Sequence, residues 1–355
     1  MEQFDVLDST EKIEAIDKSG MLGIVAKTPA MLAEALEIAS KVPLGKVKKI
    51  KNIVVCGMGG SAIAGNIVAN LLQEKCALAV FVNRDYRLPA FVGADALIFA
   101  MSYSGNTEET LLAVKEAGKR GAKIICVTSG GKLKEIAESK KYPLYLIPAG
   151  YQPRAALPYL LVPILVALEK SGLISNLRAD INSAILLTQS LCLEYGADKP
   201  SRINPVKQFA KKLLGKNPII FANTGITEAV GLRVKTQFNE NGKVTALLNF
   251  FPELNHNEIV NLSLLKRTDH KFVLIFLRDE NDSERIKKRM EITKSLIGRQ
   301  LGGTNELWAQ GQSHLARIMS LICFGDYLSC YMAILHGVDP TPVDVITKLK
   351  RELAR

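Results

Sequence analysis

Ser102, Ser104 and Thr107 crowd into Ser102-Tyr103-Ser104-Gly105-Asn106-Thr107, one residue after the apolar run Ala96 to Ala100 ends. Three hydroxyls, an amide and a glycine, set where a strand gives way to a helix, offer neutral donors beside free backbone N–H groups. Such a cradle suits a small anion, a phosphate above all. Helix capping by Ser104 or Asn106, with Glu108 and Glu109 complementing the dipole, accounts for one or two of these residues but not five. An earlier turn, Cys56-Gly57-Met58-Gly59-Gly60-Ser61, adds Gly59, Gly60 and Ser61 to the anion-binding set. Gly57, Gly59 and Ala62 also satisfy G-x-G-x-x-A, and Asn83-Arg84 follow the next strand. That turn alone therefore leaves an NADP site open.

Four further residues could move protons or hold charge. Glu240 sits in Asn239-Glu240-Asn241 behind a helix carrying Arg233 and Lys235, where it reads as a base or as a surface acid. His256 lies in the dense polar stretch Glu253 to Glu258, where an imidazole titrates near neutral pH or serves a structural role. Arg154 follows Pro153 and precedes an apolar helix, so its head group faces either a pocket or the surface. On the last helix, Val343, Ile346 and Leu353 form a stripe that takes in Lys350, with Lys348, Asp344 and Glu352 on the wet side. Lys350 is thus expected on a buried face.

These residues need strands and helices to position them. Strands are expected at Ile53 to Cys56, Leu78 to Val82, Ala96 to Met101, Lys123 to Val127 and Pro143 to Ile147, with helices between them. The pattern recurs at Asn217 to Phe221, Val244 to Asn249, Phe272 to Leu277 and Asn305 to Ala309. Alternating strands and helices imply parallel sheets covered on both faces. The fold class is α/β, with two tandem doubly wound units, each a mostly parallel sheet flanked by helices. Residues 1–51 read as a helical segment, 52–154 as the first unit, 155–214 as a helical linker and 215–355 as the second unit with C-terminal helices. The recurrence suggests an internal duplication, and no linker rich in Pro, Gly or Ser separates the halves.

Bulk properties narrow the function. The 355 residues, 48% hydrophobic and 23% charged, describe a globular chain that builds two well-buried cores. The segment Met1 to Asp17 is acidic and lacks the character of a signal peptide, and the apolar run Ala155 to Leu168 is broken by Pro158 and Pro163. No membrane partner is expected. Net charge is +11, but the basic residues are scattered without aromatic interleaving, so nucleic acid is not an expected partner. The six cysteines contain no C-x-x-C pair and read as reduced thiols of a cytoplasmic protein. His256, His270, His314 and His336 show no metal-ligand spacing, so no metal is expected. The loop Ser102 to Thr107, for which a dinucleotide-binding unit has no need, weighs against NADP, so no cofactor is expected.

The two α/β units, with G-x-G-G-S after the first strand and S-x-S-G-N-T-x-E-T after a later one, resemble the sugar isomerase (SIS) fold. Gln152 to Pro158 (QPRAALP), Phe238 to Lys243 (FNENGK), Phe251 to Ile259 (FPELNHNEI) and Gly337 to Lys350 (GVDPTPVDVITKLK) resemble the bifunctional phosphoglucose/phosphomannose isomerase family. The commoner form of the second of these is N-E-N-A-K, where this chain has Gly242. The resemblance implies aldose–ketose isomerisation of glucose 6-phosphate, and of mannose 6-phosphate, to fructose 6-phosphate, with a phosphorylated hexose as the binding partner. It implies that Glu240 shuttles the proton, Arg154 stabilises the enediolate, and Lys350 and His256 serve ring opening. It also implies a homodimer with the active site at the interface, His256 being donated across it. A sugar-phosphate sensor without catalysis is the alternative within the same fold, and residues 1–51 show no helix-turn-helix signal for one.

Overall fold

In the computed structural model, which describes residues 6–73, 75–264 and 271–353, three helices lead the chain: α1 (Thr10–Ile16), α2 (Met21–Ala26) and α3 (Thr28–Lys41). The first sheet unit follows as β1 (Asn52–Cys56), α4 (Gly59–Leu72), β2 (Ala79–Asn83), β3 (Ala96–Met101), α5 (Glu108–Lys119), β4 (Lys123–Thr128), α6 (Gly131–Lys140) and β5 (Leu144–Leu146). Helices α7 (Leu157–Lys170), α8 (Leu177–Tyr195) and α9 (Pro205–Leu213) connect it to the second. That unit runs β6 (Asn217–Asn223), α10 (Glu228–Glu240), β7 (Leu247–Phe251), α11 (Glu258–Leu264), β8 (Phe272–Arg278), α12 (Glu284–Ile297) and β9 (Thr304–Trp308). The long α13 (His314–Leu335) and the short α14 (Asp344–Leu353) close the chain.

Both sheets are parallel throughout, ordered β2-β1-β3-β4-β5 and β7-β6-β8-β9. The second thus repeats the order of the first over four strands. Central strands are covered on both faces, which is why β3 reads as six consecutive buried residues rather than an alternation. Each expected strand is found; β7 lies two to three residues later than the expected Val244 to Asn249. Val244 and Ala246 are buried without joining the sheet, so their apolar character belongs to the connection after α10.

A continuous core runs from Leu7 to Leu335 and includes both units and the connecting helices. Helix α13 is apolar and, at 22 residues, long enough by composition to cross a membrane, but 94% of its apolar window is buried inside the fold. It packs against α8, α9 and α10 as a central pillar. The two units also meet directly. Helices α4 and α10 lie antiparallel: Asn70 Oδ1 near the end of α4 accepts from Ala229 N at the start of α10 (2.9 Å). One turn further along α10, Arg233 donates to the Arg154 carbonyl (2.8 Å), beside the start of α4.

Candidate active site

The start of α4 and the start of α5 both open at the carboxyl edge of the first sheet, where parallel α/β sheets bind ligands. Neither helix has a side-chain N-cap; the cap positions are Met58 and Thr107. Their first N–H groups therefore point to the edge without capping side chains to accept from them, the condition for an anion site. Ser61 and Ser102 are buried there, and Ser102 Oγ lies 2.8 Å from Thr107 Oγ1 and accepts from Thr107 N (3.3 Å). Ser104 is exposed, and its hydroxyl accepts from Asn106 N (3.3 Å), so it shapes the loop as well as lining it.

Close contacts fix these loops. A side chain at Gly105, whose φ is +72°, would put its Cβ 1.7 Å from the Gly130 carbonyl oxygen, so only glycine lets the loops after β3 and β4 touch. A Cβ at Gly60 would lie 2.6 Å from the Pro153 carbonyl oxygen, which brings the glycine turn against the residue before Arg154. Tyr103 completes the link: its hydroxyl donates to the Pro148 carbonyl and accepts from Tyr151 N, both at 2.9 Å.

Arg154 occupies a short 3-10 turn, Pro153–Ala155, and is 5% exposed. Its Nε donates to Asn241 Oδ1 (2.6 Å), and its Nη2 donates to the carbonyls of Pro340 (3.2 Å) and Thr341 (2.7 Å). The remaining Nη1 stands 3.6 Å from Glu240 Oε2, whose side chain is half-buried at the end of α10. Burial lowers the guanidinium's proton affinity below its ordinary value, while the Glu240 charge acts in the opposite direction. Lys243, with its φ at +54°, donates to the carbonyls of Glu240, Pro340 (3.2 Å) and Pro342 (2.7 Å). Its affinity is lowered by burial first and by Arg154 second.

A buried network stands behind this pair. Arg233 Nε and Nη2 bond the Asp326 carboxylate at 3.0 and 2.6 Å, and Gln237 Nε2 donates to it at 2.9 Å. Asn241 Nδ2 donates to Ser329 Oγ, one turn along α13 (3.1 Å). Sequence reasoning missed Asn241, Lys243, Asp326 and Ser329. Asp326 carried a readable signal, being the sole acid in the apolar stretch His314 to Leu335.

The structure thus joins Arg154 and Glu240 beside the turn bearing Gly60, but it does not join all the expected residues. Helix α10 runs antiparallel to β6, so Glu240 ends at the amino edge of the second sheet. His256 follows β7 at the carboxyl edge, roughly 15 Å away at ~3.3 Å per residue. It is exposed on a 3-10 turn, Glu253–His256, whose Asn255 bonds Thr293 and Arg289 of α12. His270 lies outside the described residues. Lys350 departs from expectation: no residue of α14 is buried. Val345, Ile346, Leu349 and Leu353 are exposed at 77, 37, 58 and 69%, and Lys350 borders this stripe rather than lying under it. Periodicity correctly marked an amphipathic helix, but no described residue of the same chain covers its apolar side.

The duplicated edge in the second unit has a different content. Asp279 follows β8 where Ser102 follows β3, and Asp279 and Asp282 are both buried. Arg317 Nε holds Asp279 (2.9 Å), Asn223 Nδ2 donates to Asp282 (2.8 Å), and the Ser283 hydroxyl caps α12. The start of α10 is satisfied by Asn70, and Gly225 N by Glu228 (3.3 Å). Donors left open in the first unit are closed in the second by the chain's own groups. Among the described residues, no group of three or more His, Cys, Asp or Glu side chains is arranged to hold a metal.

Two family models match the chain. Residues 46–168 match the SIS domain family, and residues 202–353 match the bacterial phospho-glucose isomerase C-terminal SIS domain. The chain is 43% identical over 335 residues to a bifunctional phosphoglucose/phosphomannose isomerase of Caldicellulosiruptor bescii, covering 94% of this chain and 99% of that one. It is 33% identical to a D-glucosamine-6-phosphate 4-epimerase of Sulfolobus acidocaldarius over 86% of this chain and 90% of that one. Among solved structures, a glucose-6-phosphate isomerase like protein from Thermus thermophilus superposes with a TM-score of 0.63 at 18% identity, covering 96% of this chain and 99% of that one.

Proposed function

Because the chain belongs to the bifunctional phosphoglucose/phosphomannose isomerase family, we propose that it interconverts glucose 6-phosphate and mannose 6-phosphate with fructose 6-phosphate. The observation that carries this reading is the pairing of a half-buried carboxylate, Glu240, with a buried guanidinium, Arg154, beside an uncapped helix start.

The substrate phosphate sits against the starts of α4 and α5, held by the N–H groups of Gly59 and Gly60 and the hydroxyls of Ser61, Ser102, Ser104 and Thr107. His256 and Lys350 move the proton that opens and closes the sugar ring. In the open aldose, Glu240 takes the proton from C2. The electron pair moves into the C1–C2 bond, and the C1 carbonyl oxygen becomes the oxyanion of an enediolate. Arg154 Nη1, the guanidinium nitrogen without a hydrogen-bond partner among the described residues, faces that negative charge. Transfer of the C2 hydroxyl proton to the C1 oxygen, with return of the carbon-bound proton from Glu240 to C1, leaves the carbonyl at C2 and gives the ketose. Glucose and mannose phosphates differ only in configuration at C2, so both pass through the same enediolate. Each step uses only side chains of the protein.

A homodimer completes the site, with His256 supplied by the partner copy. The separation of His256 from Glu240 along the second sheet supports this, as does the uncovered apolar side of α14. The domain division at 52–154 and 215–355 follows the extent of the two sheets. Six free thiols favour a cytoplasmic setting.

The test is a coupled assay for fructose 6-phosphate formation from both aldose phosphates with chelator present, with any change in glucosamine 6-phosphate followed separately by chromatography. Turnover of glucose and mannose phosphates that disappears in Glu240→Gln, with binding retained, upholds the reading. Undiminished turnover in Glu240→Gln, or action on glucosamine 6-phosphate alone, rejects it.

A further inference from the structure

We propose that Asn241 is a positioning residue for the isomerisation, aligning Arg154 with Glu240 from a fixed point on α13. The inference rests on the roles given above to Arg154 and Glu240, and it goes beyond them by naming what sets their relative geometry.

Glu240 and Asn241 are consecutive, and they address the same guanidinium from two sides. Glu240 Oε2 lies 3.6 Å from Nη1, while Asn241 Oδ1 accepts from Nε at 2.6 Å. A planar guanidinium held at Nε, and at Nη2 by the carbonyls of Pro340 and Thr341, has little rotational freedom left. Its one remaining nitrogen must then point where Glu240 points. Removing the Nε contact frees the plane to tilt about the Nη2 bonds, and a misplacement of about 1 Å costs on the order of 100-fold in rate.

Asn241 is itself immobilised. It is completely buried, its Nδ2 donates to Ser329 Oγ (3.1 Å), and that hydroxyl donates to the Asp326 carbonyl (2.8 Å). The same Asp326 grips Arg233, which donates to the Arg154 carbonyl. Helix α13 therefore locates Arg154 twice, through its side chain by way of Asn241 and through its backbone by way of Arg233. Asn241 bonds neither the anion-binding loops nor the hydroxyls of Ser61, Ser102 and Thr107, so substrate affinity is not its concern.

The experiment compares Asn241→Asp and Asn241→Leu, with Glu240→Gln as reference, by steady-state kinetics on glucose 6-phosphate and by urea unfolding. Asn241→Asp keeps an acceptor for Arg154 Nε, whereas Asn241→Leu keeps only the volume. The expected result is a kcat at least 30-fold lower in Asn241→Leu, a loss of tenfold or less in Asn241→Asp, and KM within threefold of the parent in both. Ser329→Ala, which removes the hydroxyl acceptor of Asn241 and leaves Cys330 Sγ (3.9 Å) as its remaining side-chain acceptor, should lower kcat by three- to tenfold in the folded protein and covers the case in which Asn241→Leu does not fold. If Glu240→Gln is inactive but Asn241→Leu and Ser329→Ala keep the parent kcat, the positioning role is wrong and the isomerase reading stands. Equal losses in Asn241→Leu and Asn241→Asp, or a rise in KM at constant kcat, also overturn it. If Glu240→Gln is itself fully active, the underlying assignment fails first.

Discussion

Arg154 Nη1 stands 3.6 Å from Glu240 Oε2, and those two atoms belong to opposite halves of a duplicated chain. The arginine comes from the loop that leaves the first sheet, the glutamate from the last turn of the first helix in the second unit. Neither half alone holds both.

Arginine at position 154 does more than carry charge. Lysine donates from a single centre without a planar fork, so Arg154→Lys cannot serve Asn241 at the Nε position and Pro340 and Thr341 at the Nη2 position while a further nitrogen faces Glu240. We expect kcat to fall at least 100-fold, with urea unfolding showing a loss of about 1–3 kcal/mol from acceptors left unpaired. A variant with the parent's kcat would show that Arg154 is structural.

The hydroxyl cradle should act on binding and not on chemistry. Ser102→Ala and Thr107→Val each remove one side of a part-buried hydroxyl pair. Each should raise KM for the sugar phosphates, and the inhibition constant of inorganic phosphate, by roughly fivefold to tenfold, the equivalent of about 1 kcal/mol. Turnover at saturation should stay within twofold. A fall in kcat without a change in phosphate inhibition would place these hydroxyls elsewhere in the reaction.

The position of His256 on the far edge of its own sheet makes a prediction about mixtures. Glu240→Gln and His256→Ala should each be inactive alone. Refolded together in equal amounts, they form mixed dimers in which one of the two sites has both groups intact. Random pairing then restores about a quarter of parental activity. No recovery on mixing would show that each chain uses its own histidine.

Lys207 gives the fold a pH dependence of its own. Fully buried, it donates to the carbonyls of Leu7 (2.6 Å), Ala197 (2.7 Å) and Lys199 (2.7 Å). Burial lowers its pKa to about 8 from 10.5. Between those values the unfolded chain binds the proton that the folded chain has released, so this group's contribution to stability rises with pH. The contribution is complete above 10.5 and is lost as pH falls through about 8. The stability of the parent relative to Lys207→Met should therefore grow from pH 8 to 10.5 and be flat below 8, as read from urea midpoints. A constant difference across that range would contradict the burial of the ammonium.

How much of this was legible in the sequence differed from element to element. Strands such as Ala96 to Met101 announce themselves, because a parallel strand covered on both faces must be continuously apolar. The gathering of hydroxyls and glycines at the ends of β1 and β3 was legible too, since both stretches follow apolar strands directly and open helices. What periodicity could not supply was a partner. It marked the last helix as amphipathic and placed Lys350 against an apolar side, yet that side faces outward from the chain. Asn241 and Asp326 escaped for a related reason. Their importance lies in contacts with residues 87 and 93 positions away, and no local spacing encodes those distances.

The two aspartates after β8 bear on how many ligands a duplicated fold can take. Where the first unit leaves its helix starts uncapped, the second places Asp279 and Asp282, already seated on Arg317 and Asn223. The chain has in effect supplied its own counter-anions there, so the repeated edge is occupied from the moment of folding. On the proposed reading stoichiometry is thereby written into the repeat: of the two copies of one architecture only the first keeps its helix starts open to an anion among the described residues, and the other serves as the frame that carries Glu240.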